Sequence, residues 1–318
     1  MSGLVKFLFE GLPVRGMLVR LTDSWRELLS RRVGESAYAP EVQSLLGEMT
    51  AAGLLMQANI AFDGALVLQL HGDGPVRLAV CEVQSDLSFR STATVIGDVT
   101  PGSELAALVN PGGGGRCAIT LDPKRKLPGQ APYQGVVALH GDQREPLQQL
   151  AQVLEHYMLQ SEQLDTRLVL AANGEVAAGL LIQRMPVQGE GNLAQRRNED
   201  GIGLSEAYNR ISILAASLSK EELLSLTPDE ILHRLFWEET VRRFDPLTPS
   251  FACTCSRERV MNMLRGLGRE ESESLIEERG EVEVGCEFCG LKYRFDAVDV
   301  GEMFTSKRDQ PPASEAVQ

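Results

Sequence analysis

Four cysteines near the C-terminal end of the chain form two close pairs, Cys253 with Cys255 and Cys286 with Cys289, and residues 256–285 separate the pairs. Each pair can offer two sulfur ligands from one side of a metal ion, and the intervening chain can fold back to close the site. Four thiolates in this arrangement are typical of a tetrahedral zinc site. The spacing therefore predicts zinc held by all four cysteines.

Two helices are predicted between the cysteine pairs. Ser256 is placed to cap the first helix, and Gly268 is placed to end it. The apolar residues of this helix follow the spacing of one helix face: Val260, Met263, Leu264 and Leu267. A second, charged helix is predicted from Glu270 to Arg279, with Gly280 after it. These helices allow the intervening chain to fold back on the first pair.

The second cysteine pair lies between two short stretches with the alternation of β-strands. Val282 and Val284 alternate before the pair, and Tyr293 and Phe295 alternate after it. Gly290, directly after the last cysteine, can adopt the positive φ that a tight turn needs. The second pair is therefore predicted to lie in a hairpin-like turn.

Two other interpretations of the cysteines remain open from their spacing alone. The four sulfurs could hold a purely structural zinc ion. Alternatively, Cys286 and Cys289 could form a thioredoxin-like redox pair. A catalytic pair of that kind should begin a helix within a βαβ pattern, whereas this pair follows one predicted strand and precedes another. The thioredoxin-like interpretation is therefore the weaker one.

Length, charge and hydropathy limit the classes of protein. A chain of 318 residues can bury a full core and still carry smaller appendages. The formal net charge of -13 argues against a nucleic-acid partner, because phosphate binding needs a basic face. No apolar run is long enough to span a membrane, and Glu10 interrupts the N-terminal stretch after Lys6 before a signal-like core forms. We therefore expect a cytoplasmic protein without a membrane partner.

The remaining candidate residues give no sign of catalysis. Cys81 and Cys117 lie in apolar, strand-like runs, where a free cysteine is usually a small buried side chain. The glycines at 112–115 precede neither a Gly-Lys-Ser/Thr motif nor a predicted helix, so they predict a flexible loop rather than a phosphate site. The histidines are scattered, with no nucleophile or carboxylate pair near them. We therefore predict that the protein is not an enzyme.

The N-terminal part of the chain is predicted to form one sheet with helices packed on it. Helices are expected to begin at Thr22 or Asp23 and at Pro40. The predicted strands are Ala65–His71, Val76–Val83, a strand from Leu87, Arg116–Leu121 and Tyr133–Leu139. This mixture of elements predicts the α+β class.

Two further elements are expected to complete this core domain. Asp142 and Glu145 resemble a capping box at the start of a helix. That helix would carry Leu147, Leu150, Val153, Leu154, Tyr157 and Met158. Asn173-Gly174 predicts the turn of a hairpin between strands at 168–171 and 177–182. The core domain is expected to end near Pro186.

Polar, glycine-rich sequence at 187–203 predicts a linker, and helical segments follow it. One helix is predicted from Ser205 to Leu218. Another begins where Thr227, Pro228 and Glu230 supply the cap, the first-turn proline and the capping-box partner. The apolar side chains of this second helix would be Ile231, Leu232, Leu235, Phe236, Trp237, Val241 and Phe244. The sheet domain and the zinc lobe are the expected cover for them.

The chain is therefore expected to contain four segments. An N-terminal sheet-and-helix core domain would occupy residues 1–186, and a helical linker would occupy 187–249. A small C-terminal four-cysteine zinc lobe would occupy 250–300, and a disordered tail would occupy 301–318.

Several sequence runs resemble a known family. They are Phe251–Val260 (FACTCSRERV), Cys286–Asp296 (CEFCGLKYRFD), Tyr157–Gln163 (YMLQSEQ) and Gly179–Pro186 (GLLIQRMP). In order and spacing they are similar to the bacterial thirty-three-kilodalton heat-shock redox chaperone family over residues 60–300, whereas residues 1–59 match less distinctly. All four cysteine positions of the family pattern are present, so the resemblance carries the metal-ligand role to each of them.

The resemblance implies a stress-response holdase chaperone that is inactive while reduced and zinc-bound. Oxidation by hypochlorous acid, or by peroxide with unfolding stress, is implied to form the disulfides Cys253–Cys255 and Cys286–Cys289. Zinc would then leave, the C-terminal lobe and the helical linker would lose structure, and unfolding client proteins would bind. The active form is implied to be a homodimer. A constitutive zinc-stapled adaptor and a thiol oxidoreductase are the alternatives.

Four thiolates on one divalent cation leave about two negative charges at the site. Four basic residues close to the cysteines in sequence could offset this charge: Arg257, Arg259, Lys292 and Arg294.

Overall fold

The fold is described from a computed structural model, which covers residues 2–32, 34–125, 131–185 and 199–304. The chain divides into two compact units between Ala252 and Cys253. The four sequence-predicted cysteine ligands all lie in the second unit.

The first unit combines strands and helices, in agreement with the α+β prediction. Its strands are β1 (Gly3–Phe9), β2 (Val14–Leu21), β3 (Gly64–His71), β4 (Val76–Gln84), β5 (Ser88–Val95), β6 (Arg116–Pro123), β7 (Tyr133–Ala138), β8 (Thr166–Ala172), β9 (Ala177–Arg184), β10 (Val241–Arg243) and β11 (Ser250–Phe251). Its helices are α1 (Asp23–Ser30), α2 (Pro40–Asn59), α3 (Leu105–Val109), α4 (Leu150–Glu162), α5 (Glu199–Ala216), α6 (Lys220–Ser225) and α7 (Pro228–Phe236), with a 3-10 turn at Gly34–Ser36.

The strands of the first unit form two sheets, so the prediction of one sheet was wrong. One sheet has the order β10-β1-β2-β9-β8, and the other has the order β11-β5-β4-β3-β6-β7. The pairs are antiparallel except for β11 with β5, which is parallel. β1 and β2 were not predicted, because both faces of their sheet are covered and their burial does not alternate.

Helix α2 lies between the two sheets. It packs against β3, β4 and β5 of one sheet and against β2, β8 and β9 of the other. Side chains are buried on every side of this helix, as expected for a helix that is apolar all round. At Gly47, a Cβ atom would lie 2.3 Å from the Cβ of Ala172, so glycine allows β8 to approach α2 closely.

Several predicted elements are confirmed. α1 and α2 begin at the predicted positions, and the strands β3, β4, β5, β6 and β7 coincide with the predicted strands. The turn between β8 and β9 is held by Asn173, whose Oδ1 accepts hydrogen bonds from the backbone N–H groups of Glu175 and Val176, both at 2.8 Å. Local turn and cap signals were therefore sufficient for these elements.

The predicted capping box at Asp142 and Glu145 was wrong. Helix α4 begins at Leu150, where Gln149 and Gln152 form the capping box instead. The Glu145 carboxylate accepts a hydrogen bond from the backbone N–H of Gln143 at 3.0 Å, within a loop. Two acidic residues three positions apart can accept backbone hydrogen bonds in a loop as well as at a helix cap, so their spacing alone does not predict a helix start.

Residues 112–115 lie in the loop between α3 and β6, as predicted, and a strand rather than a helix follows them. The Asp73 carboxylate accepts hydrogen bonds from the N–H groups of Gly112 and Gly114, at 3.1 and 2.8 Å. These two N–H groups therefore already donate to a side chain of the protein rather than to a phosphate.

Helices α5, α6 and α7 pack on the face of the β1-containing sheet that lies opposite α2. Both the sheet and the helices contribute to one apolar cluster, which we call the helix–sheet cluster. Its buried members include Phe7, Phe9, Val14, Leu18, Leu180, Ile182, Ile211, Leu223, Ile231, Leu232, Leu235 and Phe236. The sheet thus covers most of the apolar face that the sequence predicted for this segment.

Helix α7 ends at Phe236, so its predicted extension to Val241 and Phe244 was wrong. β10 begins at Val241 and pairs with the edge of β1. Trp237 is 68% exposed and Phe244 is 42% exposed, whereas Phe236 is buried. The edge of β1 offers backbone hydrogen bonds to β10. The periodicity of residues 228–244 cannot predict this pairing, because β1 lies far away in sequence.

The chain then runs along the edges of both sheets. Leu247 and Leu4 exchange two backbone hydrogen bonds, at 2.8 and 2.9 Å, next to β1. β11 pairs with β5, and the Ala252 N–H donates to the carbonyl of Phe89 at 3.0 Å. The predicted linker at 187–249 thus includes described residues that pack within the first unit, while its residues 187–198 lie outside the described range. The predicted segment boundaries themselves stay predictions.

The second unit contains α8 (Arg257–Leu267), α9 (Arg269–Arg279), β12 (Val282–Gly285), β13 (Lys292–Phe295) and α10 (Ala297–Phe304). Its buried apolar cluster consists of Leu264, Val282, Phe295, Val300 and Met303. The predicted tail boundary at 300 falls inside α10, and residues 305–318 lie outside the described range.

The predicted inner face of α8 was only partly right. Leu264 is buried and Val260 packs beside the cluster, but Met263 and Leu267 are 51% and 53% exposed. Met261 packs against the cluster instead. The buried face is rotated because α9 and α10 contact α8 from one side, which the helix's own periodicity could not reveal.

Candidate metal centre

The hairpin of β12 and β13 positions the second cysteine pair. Its turn is closed by two backbone hydrogen bonds, from Cys286 N–H to the Leu291 carbonyl at 2.9 Å and from Gly290 N–H to the Cys286 carbonyl at 2.8 Å. Gly290 has a φ of 69°, as the sequence predicted. Cys286 and Cys289 therefore lie on one tight turn.

The first turn of α8 positions the first cysteine pair. The Ser256 hydroxyl accepts a hydrogen bond from the Arg259 backbone N–H at 3.2 Å, which confirms the predicted cap. The Arg259 guanidinium also donates to the Thr254 carbonyl at 2.7 Å. Because Thr254 lies between Cys253 and Cys255, this contact ties both cysteines to the start of the helix.

The four predicted ligands come together. The Sγ atoms of Cys253, Cys255, Cys286 and Cys289 all lie within 4.8 Å of one another. Cys253 Sγ lies 3.6 Å from Cys286 Sγ, and Cys255 Sγ lies 3.4 Å from Cys289 Sγ. All four are free cysteines.

These separations fit a tetrahedral metal ion. With metal–sulfur bonds of about 2.3 Å, the sulfurs of a tetrahedral zinc site lie about 3.8 Å apart. A disulfide would require about 2.05 Å. The cluster is thus close to the size of a site in which four sulfurs bind one ion.

Burial raises the pKa of one of the four thiols, that of Cys289. Cys289 is buried, and burial is the main cause that raises the pKa of its thiol, with further raising from hydrogen bonds to the other three sulfurs. A backbone hydrogen bond from Leu291 opposes this rise. Metal binding requires thiolates, so the cluster must release protons when it takes up an ion.

Tyr293 makes a contact with the cluster that sequence reasoning did not find. Its hydroxyl donates a hydrogen bond to Cys255 Sγ at 3.1 Å. This hydrogen bond is the main cause that raises the pKa of Tyr293 to about 12. Alternation placed Tyr293 on a strand, but an aromatic residue on a strand usually belongs to a core, so its role as a donor had no sequence signal.

Three of the four basic residues expected to offset the site's charge have carboxylate partners. Arg257 lies 2.7 Å from Asp299, and its guanidinium lies 4.3 Å from the centre of the Phe295 ring. Lys292 and Arg294 both contact Glu283, at 2.7 and 2.9 Å. Their charges are therefore shared with carboxylates.

Comparison with known proteins identifies the family of the chain. The sequence pattern of the family described as "Hsp33 protein" matches residues 2–296. The chain belongs to the Hsp33 family. The resemblance seen in the sequence motifs is thereby confirmed, and the family match also covers residues 2–59, where the resemblance was less distinct.

Curated relatives of this Hsp33-family chain are similar over nearly its whole length. The "33 kDa chaperonin" of Chromobacterium violaceum is 46% identical over 95% of this chain and 93% of its own. The protein of the same name from Shewanella sediminis is 40% identical over 96% of both chains. The crystal structure of the Thermotoga maritima 33 kDa chaperonin, at 20% identity, superposes with a TM-score of 0.73 over 95% of this chain and 98% of its own.

The two cysteines outside the site are buried in the first unit of this Hsp33-family chain. Cys81 lies on β4 and Cys117 lies on β6. Burial raises the pKa of Cys81 to about 11 and that of Cys117 to about 12. Such thiols are weakly reactive, and their predicted role as buried side chains is confirmed.

Two structural observations bear on the thioredoxin-like interpretation and on a membrane-spanning segment. Cys286 and Cys289 lie between two strands of a hairpin, whereas a thioredoxin-like pair begins a helix. Among the described residues, no helix is long and apolar enough to cross a membrane.

Proposed function

We propose that this chain is a redox-regulated holdase chaperone that binds unfolding client proteins only after its four cysteines are oxidised. The observation that carries the proposal is the clustering of Cys253, Cys255, Cys286 and Cys289 in a small unit of their own. Membership of the Hsp33 family supports a chaperone. The protein would act by binding alone, without catalysis.

In the resting state, the four cysteines would hold Zn²⁺ as thiolates. When bound, the ion would cross-link the two cysteine motifs and contribute on the order of 10 to 16 kcal/mol of apparent binding free energy. The chain's own contribution is small, because five apolar residues form the buried cluster of the second unit. A unit with so small a core has only marginal folding stability without a metal or another cross-link.

Oxidation would remove the ligands themselves. A thiolate of each pair attacks hypochlorous acid and takes its chlorine, releasing hydroxide. The second thiolate of the pair attacks that sulfur, forms the disulfide and expels chloride. Each pair thereby loses two electrons, which reduce the chlorine to chloride. With peroxide, the first sulfur becomes a sulfenic acid and the second displaces water.

The disulfides proposed from the resemblance are Cys253–Cys255 and Cys286–Cys289. In the structure, close sulfur contacts also run between the motifs, from Cys253 to Cys286 at 3.6 Å and from Cys255 to Cys289 at 3.4 Å. Contacts between the motifs are what a shared ion requires. Pairing within each motif would remove the cross-link that a shared ion makes between the motifs, and the unit would then unfold.

The unfolding would spread to residues 199–252. Ala252 is hydrogen-bonded to Phe89 and is followed directly by Cys253, so the end of this segment is covalently joined to the redox site. Short helices such as α6 and α7 draw most of their stability from packing. Their release would expose both sides of the helix–sheet cluster, and each large apolar side chain uncovered there represents ~1.5 to 3 kcal/mol of hydrophobic free energy. Clients would bind this surface.

The location and partners are part of the same proposal. We propose a cytoplasmic protein whose partners are unfolded or partially unfolded proteins, and whose active form is a homodimer. The formal net charge of -13 supports the expectation that nucleic acid is not a partner. The homodimer rests on the resemblance alone.

Suppression of client aggregation tests the proposal. Light scattering of a thermally unfolding client should be suppressed by the oxidised protein and restored when the protein is reduced with zinc present. If reduced and oxidised protein suppress aggregation equally, the redox regulation is wrong. If zinc stays bound under oxidant, relative to a thiol-blocked control, the chain is a constitutive zinc-stapled adaptor. Insulin reduction above background would instead indicate a thiol oxidoreductase.

A further inference from the structure

The hydroxyl of Tyr293 joins the two halves of the cysteine site. Tyr293 lies on β13 opposite Val284 of β12, and its ring packs beside the apolar cluster of the second unit. Its hydroxyl reaches Cys255 Sγ, which belongs to the other cysteine motif, at 3.1 Å. The strand register and the packing of the ring therefore fix the direction of this hydrogen bond.

A hydrogen-bond donor at this position can stabilise the negative charge of the site. Four thiolates on a divalent ion leave about two negative charges. Three of the four basic side chains near the cysteines are only partly available to offset this charge, because Arg257 pairs with Asp299 and both Lys292 and Arg294 pair with Glu283. A hydroxyl that donates to a sulfur stabilises negative charge on it without introducing another ion.

A donated hydrogen bond also makes a thiolate less reactive. It draws electron density from the sulfur lone pair that attacks an oxidant, and sulfur nucleophilicity falls as the thiolate becomes more stable. Partners of this kind, which contact a metal ligand rather than the metal, commonly adjust the chemistry of metal sites. Cys255 is thus held in a less reactive state than a thiolate without this donor.

We propose that Tyr293 is a positioning residue that sets the oxidation threshold of the four-cysteine site through its hydrogen bond to Cys255. This inference rests on the proposed redox function. The reacting bonds are those of the peroxide reaction: a thiolate attacks one peroxide oxygen to give a sulfenic acid and hydroxide, and the partner thiol then forms the disulfide and water. Tyr293 keeps its proton throughout. Its hydrogen bond slows the first attack of the thiolate on peroxide, so that at low peroxide concentration the site stays reduced and zinc-bound.

The test is the variant Tyr293→Phe in the full-length, reduced, zinc-loaded chain. This change keeps the ring that packs on the cluster and removes only the hydroxyl. Zinc release under excess hydrogen peroxide is followed with a metal-sensitive dye. Release should be about three- to tenfold faster than in the wild type, from the strength of hydrogen bonds to charged groups and the dependence of thiolate reactivity on basicity. Tyr133→Phe, whose hydroxyl points to Glu162 in the first unit, is the matched control and should match the wild type.

A spectroscopic measurement separates this role from a structural one. In the Co²⁺-substituted protein, loss of the hydrogen bond makes the sulfur more electron-rich, so the sulfur-to-cobalt charge-transfer band should shift to lower energy. A change in packing alone would not shift this band in that direction. Tyr133→Phe should leave the band unchanged.

Each outcome decides the question. Equal release rates and equal spectra for Tyr293→Phe and the wild type would overturn the inference and leave the proposed function intact. A Tyr293→Phe chain that no longer binds one metal per chain would also overturn it, because Tyr293 would then be needed for assembly of the site. Failure of the wild type to release zinc under oxidant would contradict the proposed function itself.

Discussion

The Lys220 ammonium lies 3.4 Å from the Glu48 carboxylate, joining the first turn of α6 to the central helix α2. Glu48 is buried although it carries a carboxylate, whereas the Lys220 side chain is 54% exposed. Arg20 adds a second tie, because its guanidinium donates to the carbonyl of Leu224 at 2.6 Å. The segment that we propose to open on oxidation is thus attached by polar contacts as well as by the helix–sheet cluster.

Replacement of Glu48 by Gln should change the pH dependence of stability. Burial raises the pKa of the Glu48 carboxyl, Lys220 opposes this rise, and Glu104 adds to it. The pKa of Glu48 is higher in the folded state than in the unfolded state, so the folded state binds more protons at pH values between the two. The stability that Glu48 contributes is therefore fully present below the pKa of the unfolded state, and it is lost as the pH rises through the pKa of the folded state. Urea unfolding from pH 4 to pH 7 should show Glu48→Gln gaining stability relative to the wild type as pH rises.

The companion variant for that experiment is Lys220→Met. It removes the cation that opposes the effect of burial on Glu48, so its stability relative to the wild type should fall as pH rises. A stability difference between Glu48→Gln and the wild type that is the same at every pH would contradict the role assigned to Glu48.

Phe236→Ala should loosen α7 without any oxidant. Phe236 is 2% exposed and packs edge-to-face on Phe9, with ring centres 4.9 Å apart. Truncation of such a residue costs about 3–5 kcal/mol of unfolding free energy. We expect urea unfolding to show this loss and the reduced protein to suppress client aggregation partially. Trp237→Ala, at an exposed neighbouring position, should change stability by less than about 0.5 kcal/mol; equal effects of the two variants would argue against the helix–sheet cluster as the regulated surface.

Hydrogen exchange should show that oxidation opens α7 and the edge strand after it. Backbone amides at 228–244 should be protected in the reduced, zinc-bound protein and should lose protection after zinc release. Amides of the β3–β4 hairpin, which lies in the other sheet, provide an internal reference that should stay protected. If 228–244 stay equally protected after oxidation, the switch is confined to the second unit.

Disulfide mapping can distinguish pairing within each motif from pairing between motifs. Trypsin cleaves after Arg243, Arg257, Arg279 and Lys292, so each cysteine pair falls within one peptide. Disulfides Cys253–Cys255 and Cys286–Cys289 should leave two separate peptides, each lighter by two hydrogens. Linked peptides would show that the short separations of the reduced structure are the ones that become covalent.

Loss of one sulfur should abolish the metal site. Native mass spectrometry of the reduced wild type should find one zinc per chain, and Cys286→Ser should lose it, because three sulfurs cannot complete the tetrahedral set. Cys81→Ala, which removes a buried thiol on β4, should retain the zinc. Metal-free wild type, or unchanged zinc affinity in Cys286→Ser, would contradict the four-ligand assignment.

Sequence alone determined the features that depend on neighbours along the chain. The Ser256 cap, the Thr227–Glu230 capping box and the Asn173 turn each form between residues a few positions apart, so local chemistry is sufficient for them. The grouping of the four cysteines was also predictable, because two close pairs are typical of residues that meet at one site. The α+β class followed from the same local signals.

Tertiary structure decided the features that depend on distant partners. The split into two sheets required β1 and β2, whose two covered faces hide the alternation of a half-exposed strand. Val241 joined a strand because the edge of β1 was open to it. The role of Tyr293 appeared only when β13 placed its hydroxyl beside Cys255, a residue 38 positions away in sequence. Strand pairing and side-chain contact across the chain depend on which surfaces meet, and periodicity along one segment carries no information about that.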